Sequence, residues 1–259
     1  MGVKGLFQFL KRFEKDVHIS SYVSGKTVGI DVFWFLHQSK GDMFHLQNNL
    51  LQIIKYSKKV HCVFDGSSST GERKLQLQEQ TLKRDEIHQS IQQIEKFLKY
   101  PFNRLTSTDR HCINTYLNQL KRQVWQPSPD YIDYVKNWLY NKGCEIHQAF
   151  DEADDTLIEL ENKGTIELVI TNDSDLLILG SSKVLRLVSP LRGVVFDKIW
   201  MCEILGFTVG QWNDFMYLCK HMKDKDVNLA YSLISVYKEL EYVLQKYYTL
   251  YKDELILCE

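Results

Sequence analysis

Four short apolar runs along the chain share one habit: each ends in acid. "KTVGID" closes at Asp31, "KKVHCVFD" at Asp65, "ELVITNDSD" at Asp173 and Asp175, and "GCEIHQAFDEADD" runs into Asp151 to Asp155. Runs of this length, rich in Val and Ile and bounded by polar residues, predict buried strands. Between them the spacing turns helical. In "YIDYVKNWLYNKG", Ile132, Val135, Trp138 and Leu139 share a face, Pro129 lies near the start and Gly143 follows the end. "EADDTLIELENKG" repeats the plan and stops at Gly164. Strands alternating with helices predict an α/β fold, a mainly parallel central sheet with helices on both faces. Ligands of such sheets bind beyond the carboxyl ends of the strands, and here those ends carry the acids.

Two stretches depart from the alternation. Residues 67–126 are Gln-rich and helix-favouring, and counted from residue 66 they hold ten Lys or Arg against six Asp or Glu. They read either as a solvated helical insertion or as a mobile basic helical element beside the acidic strand ends. "WQPSPD" then returns the chain to the sheet. From residue 197 onward "FDKIWMCEILG", "QWNDFMYLCKHM" and "LAYSLISVYKELEYVLQKYYTLY" are helical in pattern. The boundaries are thus a core over 1–196, carrying an insertion near 67–126, and a helical region over 197–259.

Composition narrows the class. The 259 residues are 44% hydrophobic and carry a net charge of −1, so nothing global advertises a polyanion or a membrane, and any basic surface must be local. The six cysteines (Cys62, Cys112, Cys144, Cys202, Cys219, Cys258) form no Cys-x-x-Cys pair, which argues against a zinc site and for a reducing, intracellular setting, nucleus or cytoplasm alike. No apolar run approaches membrane-spanning length, and no signal peptide is expected. Leu6 stands where a myristoylation pattern needs Ser or Thr, so "MGVKGLF" calls for another explanation.

The acids supply the chemistry. An Asp at a strand-to-helix junction is a good helix cap, and any one of these could be only that. A parallel sheet, however, brings Asp31, Asp65, Glu152, Asp154, Asp173 and Asp175 to one edge. Six carboxylates in one cleft need a compensating charge, and all-oxygen ligation selects Mg²⁺, with Mn²⁺ able to substitute. Two such ions, roughly 3.5–4 Å apart, suit phosphodiester hydrolysis. The period of two along an extended chain would put Asp173 and Asp175 on one side with Ser174 pointing away.

With these residues in order, the chain resembles the flap endonuclease and 5′-exonuclease superfamily, with its PIN-like nuclease core. "MGVKGL" is similar to the family's amino terminus, "VGIDVFWFLHQ" and "VFDG" to its first two metal-aspartate strands, "AFDEADD" to its Glu-x-Asp motif and "ITNDSDLLILG" to its Asp-x-Asp motif. "FLHQ" and "NDSDLL" carry the flavour of the exonuclease-1 branch. The resemblance implies that the six acids ligate two Mg²⁺ ions, directly or through water. It also implies that Gly2 lies near the active site and that His37 wedges against a base at a duplex junction. The insertion becomes a helical gateway, with Arg73 or Lys74 and Lys83 or Arg84 serving the scissile phosphate. A seventh acid is expected near residue 225, where Lys225 stands, so Asp224 or Asp226 must substitute. The helical frame of the hairpin that grips duplex in the family is kept in degenerate form. Its glycines are gone and its turn is shortened to "DVNLA", which puts duplex grip and the family's potassium site in doubt. The implied activity is a structure-selective DNA nuclease, a 5′ flap endonuclease or 5′–3′ exonuclease of replication, repair or recombination, leaving a 5′-phosphate. Its partner is branched or 5′-ended DNA. The alternatives are an RNA-cleaving nuclease of the same superfamily or an inactive nucleic-acid-binding scaffold. The short stretch after residue 250 makes a sliding-clamp partner unexpected.

Overall fold

The computed structural model describes residues 5–66, 71–100, 105–222 and 226–250. Its strands are β1 (Lys15–His18), β2 (Thr27–Asp31), β3 (Lys59–Phe64), β4 (Glu145–Gln148), β5 (Leu168–Ile170), β6 (Lys183–Leu187) and β7 (Arg192–Asp197). Its helices are α1 (Leu6–Leu10), α2 (Ile19–Val23), α3 (Val32–Ser39), α4 (Met43–Tyr56), α5 (Gly71–Leu98), α6 (Ser107–Val124), α7 (Pro129–Asn141), α8 (Ala153–Asn162), α9 (Asp175–Ile178), α10 (Lys198–Leu205), α11 (Val209–His221), α12 (Val227–Tyr237) and α13 (Leu240–Leu250).

The strands form one sheet in the order β1-β7-β6-β5-β2-β3-β4. From β6 to β4 every pairing is parallel, whereas β7 runs antiparallel to both β6 and β1. The four acid-tipped runs are therefore the parallel strands β2, β3, β5 and the edge strand β4. Their near-continuous apolar character follows from burial on both faces. In β5, Leu168 and Ile170 join Phe35, Leu50, Val135 and Leu139 on one face. Val169 joins Leu157, Trp212 and Phe215 on the other. Helix α7 begins at Pro129 and gives way to Gly143 (φ 83°), a left-handed position that suits glycine past a helix end.

Three elements differ from the sequence reading. Strands β1, β6 and β7 lie outside the four acid-tipped runs: β1 is largely exposed, β6 and β7 open on Lys183 and Arg192, and β7 joins β6 and β1 antiparallel. The aromatic run after residue 226 is two helices, split where Lys238 takes φ 69°. "DVNLA" is the start of α12 rather than a turn: Asp226 caps it, accepting from the backbone N–H groups of Asn228 (2.9 Å) and Leu229 (3.2 Å).

The insertion, over its described residues 71–100 and 105–124, holds a helical pair. Helices α5 and α6 pack on each other around a small core of Ile91, Leu117 and Leu120, separate from both faces of the sheet.

Candidate active site

The carboxyl ends of β2, β3 and β5 and the loop after β4 surround a cleft of about 230 Å³. Asp31, Asp65, Glu152, Asp154 and Asp173 line it, with Phe33, Trp34 and His37 of α3. Asp175 stands close enough for its charge to act on Asp154.

Local chemistry fixes each acid. Asp31 ends β2 and caps α3, accepting from the Trp34 N–H at 3.2 Å. The buried Thr171 hydroxyl, at the end of β5, donates to its other oxygen at 3.1 Å. Asp65 follows β3 and accepts the Ala153 N–H at 2.9 Å, tying the β3 end to the amino terminus of α8. There the helix dipole favours negative charge, and Glu152 and Asp154 occupy the same turn. The Gly66 N–H donates to the Asp151 carbonyl at 2.6 Å. A Cβ on Gly66 would meet the Phe150 carbonyl oxygen at 2.0 Å, so only glycine allows this approach. Asn172 anchors the next turn to β6, its amide donating to the Leu187 carbonyl (2.9 Å) while its oxygen accepts the Leu187 N–H (2.7 Å).

The Asp173–Asp175 pair is not extended. Ser174 is helical (φ −79°, ψ −17°) and buried, and the Asp173 carboxylate accepts the Asp175 N–H at 3.1 Å. The two acids are thus brought together by a turn into α9 and not by strand alternation. The expectation that Ser174 points away from an extended chain is corrected accordingly.

The electrostatics centre on Asp31 and Asp154, both of which lie among other carboxylates. Asp31 is 8% exposed, and among the described residues no Lys or Arg forms an ion pair with Asp31, Asp154 or Asp173. Burial, opposed by the Trp34 and Thr171 hydrogen bonds and reinforced by Asp65 and Asp173, pushes the Asp31 pKa up to about 7. Burial, then the charges of Asp31, Asp173, Glu152 and Asp175, push Asp154 up to about 8. Carboxyls raised by burial and by one another's charge, as Asp31 and Asp154 are, suit a hard divalent cation that neutralises them. Among the described residues the acids nowhere bring three oxygens within 4.8 Å of one another, so they line an open cleft rather than a closed cage.

Other expected residues fall in different places. His37 is exposed, but its ring lies by the cleft between Phe33 (6.3 Å) and Trp125 (6.1 Å). Lost hydration there lowers its pKa, Lys40 and Arg84 push the same way, and Asp65 opposes them. That effect puts Arg84 of α5 within electrostatic reach of the cleft, whereas Lys83 is exposed beside it. Arg73 and Lys74 fall within α5, but their side chains lie outside the described residues, as do Gly2 and Asp224. Asp226 is spent on the α12 cap and does not line the cleft. The reading of residues missed Thr171, Phe33 and Trp34; the signal for Thr171 was a hydroxyl directly after an apolar strand and before the acids.

Comparison with known proteins places this geometry. The XPG I-region family model matches residues 143–222, which hold Glu152, Asp154, Asp173 and Asp175. Exonuclease 1 of Xenopus laevis is 26% identical over 236 residues, covering 85% of this chain. The chain spans only 30% of that protein's length. Flap endonuclease 1 of Entamoeba histolytica is 26% identical over 287 residues, covering 97% of this chain and 72% of the relative. Among solved structures, the catalytic core of Rad2 in complex with DNA substrate shares the fold, with a TM-score of 0.64 at 15% identity over 97% of this chain and 73% of that one.

Proposed function

Because the chain belongs to the superfamily that joins the XPG I-region, exonuclease 1 and the flap endonucleases, we propose that it is a Mg²⁺-dependent, structure-selective DNA nuclease acting at 5′ ends or branch junctions. The observation that carries this reading is the group of buried Asp31 with half-buried Asp154 and Asp173, none of them in an ion pair with Lys or Arg among the described residues, beyond the carboxyl ends of the strands. Together with Asp65, Glu152 and Asp175 these acids would hold two divalent ions. When bound, Mg²⁺ would neutralise these acids, polarise the scissile phosphodiester and acidify the attacking water.

The protein's own groups do the positioning. Thr171 and the Trp34 N–H orient Asp31, while the Ala153 N–H holds Asp65. Phe33, Trp34 and His37 give the cleft an aromatic rim against which an unstacked base packs. Arg84, whose charge reaches His37 at the cleft, would attract a phosphate lying between it and the acids.

A second reading, cleavage of RNA, has one observation in its favour. The amides at the start of α12 are engaged by Asp226, so they offer no cradle for a duplex phosphate. Incubation with labelled 5′-flap, nicked and blunt DNA and with RNA, in Mg²⁺, Mn²⁺ or chelator, separates the readings. The account expects metal-dependent product from flap or 5′-ended DNA. Product from RNA alone overturns the DNA assignment, and no product from any substrate overturns the enzyme.

A further inference from the structure

A second cluster of ligating groups lies away from the cleft, on strands β3 and β4. His61 Nδ1 is 2.9 Å from His147 Nε2 and 3.2 Å from Glu145 Oε2, and the three ligand atoms all fall within 4.8 Å of one another. Among the described residues this is the one such convergence. We infer that His61, Glu145 and His147 form a transition-metal site suited to Zn²⁺ and distinct from the acidic cleft.

The sheet register builds the site. His61 pairs with Glu145 and Val63 with His147, so alternation sends all three side chains to one face, the two β4 residues flanking His61. Asp65 lies four residues farther along the chain, about 13 Å at the rise of an extended strand. The cluster is therefore not an outlying part of the cleft.

Distances and donor types favour zinc over the ions proposed for the acids. A tetrahedral ion bound at about 2.0–2.1 Å sets its ligand atoms about 3.3 Å apart. The two measured separations are within a few tenths of an ångström of that. Two imidazoles and one carboxylate suit a borderline cation, whereas Mg²⁺ prefers oxygen throughout. The zinc that the missing cysteine pairs argued against would rest here on imidazole. His61 is 1% exposed, and burial holds its ring below the usual imidazole range, with Glu145 opposing and His147 and Lys59 assisting.

The site is open on one side. Glu145 is about half exposed and His147 half-buried, which gives an ion its entry and leaves the fourth position to water. Lys59 pairs with the other Glu145 oxygen at 2.6 Å, an exposed contact worth little in stability and leaving Oε2 to the histidines. Occupancy would clip the edge strand β4 to β3. The bland alternative is a neutral histidine pair joined by one hydrogen bond, with rings stacked at 5.1 Å. It leaves the buried His61 Nε2 without a partner, as the metal-bound form also does, so that atom does not decide between them.

Calorimetric titration of the metal-stripped chain with Zn²⁺, in excess Mg²⁺ added to compete for the acidic cleft, decides it. One equivalent of Zn²⁺ is expected to bind, and Co²⁺ in its place to give the intense visible absorption of four-coordinate cobalt. His147→Ala and the exposed-site variant Glu145→Gln should each weaken binding at least about tenfold, with folding checked by circular dichroism, while Asp173→Asn leaves it unchanged. Failure of the wild type to bind Zn²⁺ in Mg²⁺, unchanged binding in folded Glu145→Gln, or loss in Asp173→Asn would each overturn the site.

Discussion

Lys83 and Arg84 are neighbours in sequence but point about 100° apart around α5. Arg84 is half-buried, its Nε donates to the Gln80 carbonyl at 3.1 Å, and its charge is felt at His37; Lys83 is exposed. If Arg84 holds a phosphate beside the acids, Arg84→Ala should slow cleavage about tenfold, roughly 1.4 kcal/mol of lost transition-state stabilisation. Lys83→Ala should stay near the wild-type rate. Single-turnover rates for both variants check this, and equal losses would remove the distinction. At this scale much was legible. Asp31, Asp65 and the Asp173–Asp175 pair are legible jointly: one acid at a strand end can be a helix cap, as Asp31 is for α3, but acids ending several parallel strands meet at one edge. Thr171 did not, since a hydroxyl at a strand end looks like a turn residue until its acceptor across the sheet is known. Asp226 misled for the converse reason: cap and ligand are the same residue type, and only the amides of Asn228 and Leu229 tell them apart.

Among elements, the loops after β3 and β4 decide whether the acids meet. Gly66 lets them touch, through its N–H to the Asp151 carbonyl and a space that a methyl group cannot enter. Gly66→Ala should cost about 1–3 kcal/mol of stability by forced backbone displacement and reduce cleavage further by separating Asp65 from Glu152. Thermal melting and rate measurements on one preparation check both, and a variant with wild-type stability would show the contact to be dispensable. The parallel strands were readable from continuous apolar runs, and α7 from its face, its early proline and its trailing glycine. Strands β1, β6 and β7 were not: β1 is largely exposed and pairs with β7 from the far end of the chain, and the apolar stretches of β6 and β7 are short and open on Lys183 and Arg192. Residues 71–124 stood out by their Gln and basic content, a compositional signal. That they form two helices with a minimal core of their own follows from their packing.

On the scale of the whole molecule, two apolar cores clamp the sheet and so force the acids together at its carboxyl edge. That convergence has a consequence for stability. The native pKa values of Asp31 (about 7) and Asp154 (about 8) lie above the ordinary value of 3.8. Between about pH 4 and 8 the native state binds protons that the unfolded chain has released, so metal-free stability should fall as pH rises through that window. The contribution is fully present below it. A divalent ion replaces the missing protons, so Mg²⁺ should raise the melting temperature more at about pH 8.5 than at about pH 5.5. Asp154→Asn should flatten the metal-free trend. Melting curves across this range with chelator and with Mg²⁺ test the linkage, and a wild type whose metal-free stability rises with pH would contradict it.

The central claim is that the acids at the sheet edge are a metal-dependent catalytic centre for DNA. Cleavage of a 5′-flap DNA by wild type and Asp173→Asn, each with Mg²⁺ and with chelator, tests it most directly when flap binding is measured alongside. The account predicts that wild type cuts only with Mg²⁺ and that Asp173→Asn is at least about 100-fold slower, on the order of the several kcal/mol such ions supply, while keeping its affinity for the flap. Cutting that persists in chelator, or an Asp173→Asn variant that cuts at the wild-type rate, would contradict it.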